Sequence, residues 1–154
     1  MVIPNRIKTR EGGIPLQAKT AKDVMSPAPV TVTSQDELFK VATLMKEHEI
    51  GFIPVVDQNK PIGVITDRDI VTRGLAEKLP GSTKVEQVMS KTCITIPPTG
   101  TLSDAAETMA KNKIRRVLVV EGTNLLGVVA IGDLAVREAS NARAGKALTE
   151  ISSH

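Results

Sequence analysis

Short apolar runs alternate with longer amphipathic stretches along this chain. Runs rich in Val and Ile occupy residues 30–32, 52–56 and 62–65, and their length and composition are typical of buried strands. A second helix is predicted after the third run, over residues 67–73. Between the first two runs, four apolar residues recur at the spacing of one helix face and predict a helix over residues 37–48: Leu38, Val41, Ala42 and Met45.

The same pattern returns 64 positions later without a gap. The matching pairs include Met25 and Met89, Leu38 and Leu102, Met45 and Met109, Gly63 and Gly127, and Asp69 and Asp133. This register predicts an α/β fold of the α+β kind, with two copies of a β-α-β-β-α repeat. Because a repeat of about 55 residues buries little surface alone, we expect the two to pack sheet to sheet around a pseudo-twofold axis. The predicted organisation is an N-terminal arm at 1–20, repeat 1 at 21–74, a linker at 75–84, repeat 2 at 85–138 and a C-terminal tail at 139–154.

Local signals predict where these elements begin and end. Ser34 and Glu37 have the spacing of a capping box, in which each side chain bonds the backbone amide of the other at the start of a helix. Gly74 is predicted to end the second helix as its C′ residue. Either Thr99 or Thr101 is expected to open the corresponding first helix of repeat 2. Hairpin turns are predicted at residues 57–60 and 122–124.

Two strand-to-helix corners carry the most informative polar residues. In repeat 1 the strand ends at Thr66, and Asp69 follows three residues later; repeat 2 keeps Asp133 but has Ala130 in place of the hydroxyl. A carboxylate can accept hydrogen bonds from both hydroxyls of a ribose, and a hydroxyl with helix N-terminal amides suits a phosphate. The same Thr-x-x-Asp spacing also fits a plain helix cap. Asp67 with Asp69 is a weak candidate for a metal site.

Composition excludes several functional classes. The 154 residues include 41% hydrophobic ones, no stretch near the roughly 20 apolar residues of a membrane span, and one cysteine, Cys93, so we expect a cytoplasmic protein. The net charge of +3 comes from basic residues scattered among acidic ones, and the absence of Trp and Tyr disfavours nucleic-acid binding. No nucleophile–base pair or histidine cluster is apparent, so we expect neither an enzyme nor a metal site.

The repeated pattern resembles the CBS domain, and the pair resembles a tandem CBS module of the stand-alone bacterial type. The resemblance covers residues 21–140 and rests on Val24-Met25-Ser26, its copy Val88-Met89-Ser90, Ile53-Pro54-Val55-Val56-Asp57, and Gly63-Val64-Ile65-Thr66-Asp67-Arg68-Asp69. It implies binding of adenosine-containing ligands in clefts between the repeats: AMP, ADP, ATP and, in some members, NAD or S-adenosylmethionine. No cofactor is required beyond such an adenine nucleotide.

The resemblance also implies which residues bind the ligand. Members often carry an arginine just before the second strand, facing the phosphates; repeat 2 has Arg115 there, whereas repeat 1 has Gly51. We expect unequal corners. The stronger one is at Thr66 and Asp69, because Ala130 lacks the oxygen that Thr66 supplies, whereas Arg115 and Arg116 would favour the Asp133 corner for a polyphosphate. The ligand-binding residues implied are Ile65, Thr66, Asp69, Arg115, Arg116 and Asp133.

The leading hypothesis is a regulatory sensor that binds an adenosine-containing ligand and acts on an unidentified protein. By resemblance we also expect a homodimer, with the helices at 37–48 and 101–112 and the second helices of each repeat supplying the interface. The alternative is a ligand-free structural or protein-interaction module that acts through dimerisation or partner docking. A small hydrolase or nucleotide-processing enzyme is a more distant alternative, because acid–base machinery is missing from the pattern.

Overall fold

The computed structural model describes residues 18–135. Most of the predicted N-terminal arm, the end of repeat 2 and the whole C-terminal tail at 139–154 lie outside the described residues. The elements are α1 (Ala21–Val24), β1 (Ser26–Pro27), α2 (Leu38–His48), β2 (Phe52–Asp57), β3 (Lys60–Thr66), α3 (Asp67–Asp69), β4 (Thr95–Ile96), α4 (Leu102–Asn112), β5 (Arg116–Glu121), β6 (Asn124–Ala130) and α5 (Ile131–Ala135). This mixture of helices and strands confirms the predicted fold class.

One compact unit, here called the hairpin unit, contains residues 28–93 and 122–125. Its β2 and β3 pair antiparallel from Phe52 opposite Thr66 to Asp57 opposite Lys60. The predicted turn between them is confirmed, since Gln58 and Asn59 both have the positive φ of a tight hairpin turn. The fully buried side chains of this unit come from α2, the hairpin and the segment at 85–88: Val41, Ile53, Val55, Ile65, Val85 and Val88.

The other unit, here called the sheet unit, contains residues 18–27, 94–121 and 126–135. Its four strands follow the order β1-β6-β5-β4, with β1 antiparallel to β6 and β4 parallel to β5. The apolar face of α4 packs onto the sheet, because small residues there allow a close approach. The fully buried side chains of this unit are Ala21, Ala105, Ala106, Met109, Val117, Leu118, Val119, Val129 and Leu134.

The compact units do not coincide with the sequence repeats. The opening segment of repeat 1 pairs with the hairpin of repeat 2, where Ser26 lies opposite Val128. The opening segment of repeat 2 pairs with the hairpin of repeat 1, where Val64 and Ser90 exchange two backbone hydrogen bonds of 2.9 Å. Each unit is therefore completed by the first residues of the other repeat.

Three local predictions are wrong. The capping box of Ser34 and Glu37 does not form at α2, since Glu37 is itself the N-cap residue and its side chain makes no capping bond. Instead, the first helical amides, of Leu38 and Phe39, donate to the carbonyls of Thr83 and Gly81, each at 2.9 Å. Linker carbonyls thus accept from the first amides of the helix itself, whereas the predicted capping box would have bonded the amides of Ser34 and Glu37.

The second helix of repeat 1 does not end at Gly74. From α3 the chain continues through a π-helical turn at Ile70–Gly74 and a 3-10 turn at Leu75–Glu77, and Lys78 closes it in the left-handed conformation. A Cβ on Gly74 would lie 3.2 Å from Leu38 Cδ1, so the glycine serves helix packing. The strand predicted at 30–32 is reduced to a bridge between Val32 and Val55, because a turn begins at Thr33.

The start of α4 and the second hairpin turn are confirmed. Thr101, rather than Thr99, is the N-cap residue of α4, and it forms a complete capping box with Asp104. In the hairpin turn of repeat 2, Gly122 has a φ of 63°, which glycine adopts at little cost.

Alanine at Gly63 or Gly127 should destabilise the protein. A Cβ on Gly63 would overlap the Ser90 carbonyl oxygen, and one on Gly127 would lie 2.6 Å from the Ser26 carbonyl oxygen. Since backbone atoms cannot move aside without breaking strand pairing, we expect each variant to lower the free energy of unfolding by ~1–3 kcal/mol in urea titrations followed by circular dichroism. Gly132→Ala is the matched control, because its Cβ would meet nothing within 4 Å and should be neutral or stabilising. Equal stability of all three variants would contradict the close approach.

Candidate functional site

Thr66 and Asp69 meet at the corner where β3 ends and α3 begins. Thr66 Oγ1 accepts a hydrogen bond from the Asp69 amide at 3.1 Å, and Asp69 Oδ2 accepts one from the Thr66 amide at 3.0 Å. Both residues are partly buried, whereas the preceding Ile65 is fully buried in the core of the hairpin unit. The structure thus brings Thr66 and Asp69 together, as the sequence predicted. The side chain of Ile65, which was also predicted to bind the ligand, faces the core instead.

The same reciprocal bonds occur at a second place in the chain. Thr101 Oγ1 accepts from the Asp104 amide at 3.0 Å, and Asp104 Oδ2 accepts from the Thr101 amide at 3.0 Å. Hydrogen bonding of this kind is therefore what a Thr-x-x-Asp sequence does at a helix start, with or without a ligand. The two caps differ in exposure, because the bonds at Thr101 are exposed and those at Thr66 are partly buried.

One carboxylate oxygen at the Thr66 corner remains available. Within residues 18–135, Asp69 Oδ2 is occupied by the cap, and Oδ1 makes no hydrogen bond. A charged oxygen in a partly buried position forms stronger hydrogen bonds than one in bulk water. The corner therefore offers an acceptor for a hydroxyl donor of a ligand.

Gly51 and Asp67 complete this corner, and the sequence reasoning did not include Asp67 among the ligand-binding residues. The Asp67 amide donates to the Gly51 carbonyl at 3.0 Å. Asp67 Oδ2 lies 2.6 Å from the point where a Cβ of residue 51 would be, and Oδ1 accepts from the Arg68 amide at 2.8 Å. The signal available in the sequence was the replacement of arginine by glycine at position 51.

The corresponding corner of repeat 2 lies in the sheet unit, between β6 and α5. The Ala130 amide donates to Asp133 Oδ2 at 3.0 Å, which is the half of the cap that needs no hydroxyl. The Ile131 amide donates to the Arg115 carbonyl at 2.8 Å, just as the Asp67 amide donates to the Gly51 carbonyl. Arg115 and the neighbouring Arg116 are both exposed at the start of β5.

Asp133 is half-buried, and its ionisation reflects this position. Burial raises the pKa of the Asp133 carboxyl above its ordinary value, while the hydrogen bond from the Ala130 amide and the positive charge of Arg116 act in the opposite direction. Asp133 and Arg116 therefore attract each other electrostatically.

Other candidate chemistry is sparse in the part of the chain that the structure describes. No group of three or more His, Cys, Asp or Glu side chains there is arranged to hold a metal ion. Cys93 is half-buried, and burial raises the pKa of its thiol. None of the helices within residues 18–135 has the length and apolarity needed to cross a bilayer.

The raised pKa of Asp133 predicts a pH-dependent effect of Asp133→Asn. The folded protein holds the carboxyl proton more tightly than the unfolded chain does, so the ionised group opposes folding above its folded pKa and ceases to do so as the pH falls. Asn can still accept from the Ala130 amide. In thermal melts from pH 4 to 8, Asp133→Asn should be more stable than wild type at pH 7, and this gain should shrink towards pH 4.

Asp23→Asn is the control, because its change in stability should have the opposite sign to that of Asp133→Asn. Burial raises the pKa of Asp23, but hydrogen bonds from the Lys19 and Thr20 amides outweigh it and the net pKa is lowered. The ionised form therefore stabilises the fold, and that contribution is lost as the pH falls through the folded pKa. Asp23→Asn should be less stable than wild type at pH 7, with the difference fading in acid. If both variants changed the stability at pH 7 in the same direction, the opposite pKa shifts of Asp133 and Asp23 would be contradicted.

Both corners lie in stretches of the chain that match a known protein family. The CBS domain family matches residues 21–75 and 85–139. The CBS domain-containing protein YhcV of Bacillus subtilis is 44% identical over 133 residues, which cover 86% of this chain and 95% of that protein.

Solved structures give the same result. The crystal structure of Hypoxic Response Protein I, described with two coordinated zinc ions, is 31% identical, with a TM-score of 0.67 over 75% of this chain and 96% of that one. The structure of CBSX2 in complex with AMP is 25% identical, with a TM-score of 0.66 over 75% and 93%. Both stretches of this chain that match the family model contain one of the two corners, at Thr66–Asp69 and at Ala130–Asp133. The chain therefore belongs to the CBS domain family and carries two CBS domains in tandem.

Proposed function

We propose that this chain is a regulatory sensor that binds an adenosine-containing ligand at its strand-to-helix corners and performs no chemistry on it. The candidate ligands are AMP, ADP, ATP, NAD and S-adenosylmethionine. The observation that carries the proposal is the partly buried corner at Thr66, where Asp69 keeps one carboxylate oxygen unbonded within the described residues. The AMP-bound structure of CBSX2 supports the choice of an adenosine-containing ligand.

The two corners, each taken by itself, offer groups that suit different parts of such a ligand. Asp69 Oδ1 accepts from a ribose hydroxyl in a charge-assisted hydrogen bond. The adenine ring packs on aliphatic strand residues, since the whole chain has no Trp or Tyr. At the other corner, the exposed Arg115 and Arg116 carry the positive charge that phosphates require. Binding then changes the affinity of the protein for an unidentified regulated partner in the cytoplasm.

A second candidate function, an interaction module acting through dimerisation, is favoured by apolar residues on the surface of the hairpin unit. Phe39 is 72% exposed and Leu75 is 71% exposed, and Val71 is also largely exposed. They lie on α2 and on the helical segment after β3, which contact each other where Leu38 meets Gly74. Exposed large apolar side chains on adjoining helices are typical of a protein–protein interface. The homodimer expected by resemblance uses this surface, and it is compatible with ligand binding.

Asp69→Ala should weaken ligand binding ten- to a hundredfold, because it removes charge-assisted hydrogen bonds of about 1.5–3 kcal/mol. A thermal-shift screen with the five candidate ligands first identifies the ligand, since saturation at about 100 times Kd stabilises by ~2.7 kcal/mol. Isothermal titration calorimetry then measures Kd.

Asp104→Ala is the matched control for Asp69→Ala. It removes the equivalent bond from α4, in which the Thr101 amide donates to Asp104 Oδ2 at the same 3.0 Å as the Thr66 amide to Asp69 Oδ2, but outside either corner. Both variants should lose comparable stability, about 1 kcal/mol, while Asp104→Ala alone retains wild-type affinity. If the ligand affinity of Asp69→Ala were unchanged, Thr66 and Asp69 would act only as a helix cap.

Multi-angle light scattering should give twice the chain mass of 16.4 kDa at micromolar concentration. Phe39→Ser should shift the protein towards the monomer, because it removes the largest exposed apolar side chain. Lys46→Ser, which changes an exposed charged residue of the same helix, should leave the mass unchanged. A wild-type monomer would reject the dimer.

A further inference from the structure

The two corners share a backbone arrangement but carry different side chains at two equivalent positions. In the hairpin unit the Asp67 amide donates to the Gly51 carbonyl at 3.0 Å; in the sheet unit the Ile131 amide donates to the Arg115 carbonyl at 2.8 Å. Positions 51 and 115 are equivalent, as are positions 67 and 131, in the 64-residue register. One corner thus combines glycine with aspartate, and the other combines arginine with isoleucine.

In the hairpin unit, position 51 lies close to the Asp67 carboxylate. Asp67 Oδ2 lies 2.6 Å from the point where a Cβ of residue 51 would be, and its carboxyl carbon lies 3.0 Å from that point. A side chain at position 51 would therefore require the Asp67 carboxylate to move from its present place. At the other corner Ile131 is buried in the core and Arg115 is exposed.

The two corners also differ in charge, because one has Asp67 and the other has Arg115. Asp67 is exposed, and Asp69 lies two residues further along with one carboxylate oxygen unbonded within residues 18–135. A phosphate bound beside position 51 would meet the negative charge of Asp67, whereas the other corner has the cation Arg115 at the equivalent position. Like charges placed close together weaken binding strongly, and they do so selectively against the charged ligand.

We propose that Asp67 is a specificity-determining residue that excludes phosphate-bearing ligands from the Thr66–Asp69 corner. This corner takes an adenosine group whose 5′ substituent is neutral or cationic, whereas phosphorylated ligands bind beside Arg115 and Arg116. The inference rests on the proposed binding of adenosine-containing ligands and refines it, because it divides that class between the two corners by charge.

Adenosine and AMP are the probes that test this division. Calorimetry is carried out on the full chain with Arg115→Ala and Arg116→Ala, which removes the cationic side chains of the sheet unit but leaves the carbonyl that Ile131 uses. Adenosine should bind at least ~10-fold more tightly than AMP in this background, a difference of about 1.4 kcal/mol. Adding Asp69→Ala should abolish the adenosine signal, which locates it at this corner.

Asp67→Asn preserves the shape of the side chain and removes its charge. We expect it to raise the affinity for AMP about tenfold and to leave the affinity for adenosine within about twofold. Higher ionic strength should narrow the difference in affinity between the two ligands while residue 67 is aspartate, and should have much less effect on that difference in the Asp67→Asn variant. Asp57→Asn is the matched control: it makes the same charge change at an exposed position at the opposite end of β2, and it should alter neither affinity.

The outcomes separate the two proposals. AMP binding as tight as adenosine binding in the background protein, or AMP affinity unaffected by Asp67→Asn, would overturn the role of Asp67 and leave adenosine binding at the corner intact. Binding of neither probe to any variant would overturn this inference, and the absence of thermal stabilisation by any of the five candidate ligands would overturn the proposed function as well.

Discussion

The close approach of backbone to backbone at Gly63 and Gly127 is the constraint on which both units depend. At these points the first residues of one repeat lie against the hairpin of the other, with Ser90 beside Gly63 and Ser26 beside Gly127. A side chain at either glycine would keep the paired backbones apart. Since the pairing joins segments that are distant in sequence, each unit closes its core only when both repeats are present in one chain.

The proposed binding site shares its residues with ordinary helix capping. Thr66 with Asp69 and Thr101 with Asp104 form the same bonds, so the cap by itself gives no information about a ligand. What sets the Thr66 corner apart is its location at the end of a core strand, its partial burial and the presence of Asp67 against Gly51. A group that caps a helix is held rigidly, and this rigidity lowers the cost of presenting its remaining oxygen to a ligand.

Divergence between the repeats follows from single exchanges at equivalent positions. Ala130 in place of a hydroxyl removes one half of a cap, and the remaining half holds Asp133, whose pKa burial raises. Gly51 and Asp67 in one repeat, against Arg115 and Ile131 in the other, change the sign of the local charge without changing the backbone bond beneath it. Two corners of one ancestry can thus differ in ligand preference while the fold stays the same.

The sequence by itself determined the fold class, the repeat register and the meeting of Thr66 with Asp69, and it limited the α4 cap to Thr99 or Thr101, because these depend on periodicity and on contacts within a few residues. Only the tertiary structure decided that linker carbonyls of Gly81 and Thr83 replace the Ser34–Glu37 box, and that Gly74 serves packing against Leu38. The tertiary structure also decided that the opening segment of each repeat pairs with the hairpin of the other repeat, and that Asp67 lies beside Gly51. Each of these involves groups separated by many residues, whose proximity no local pattern encodes.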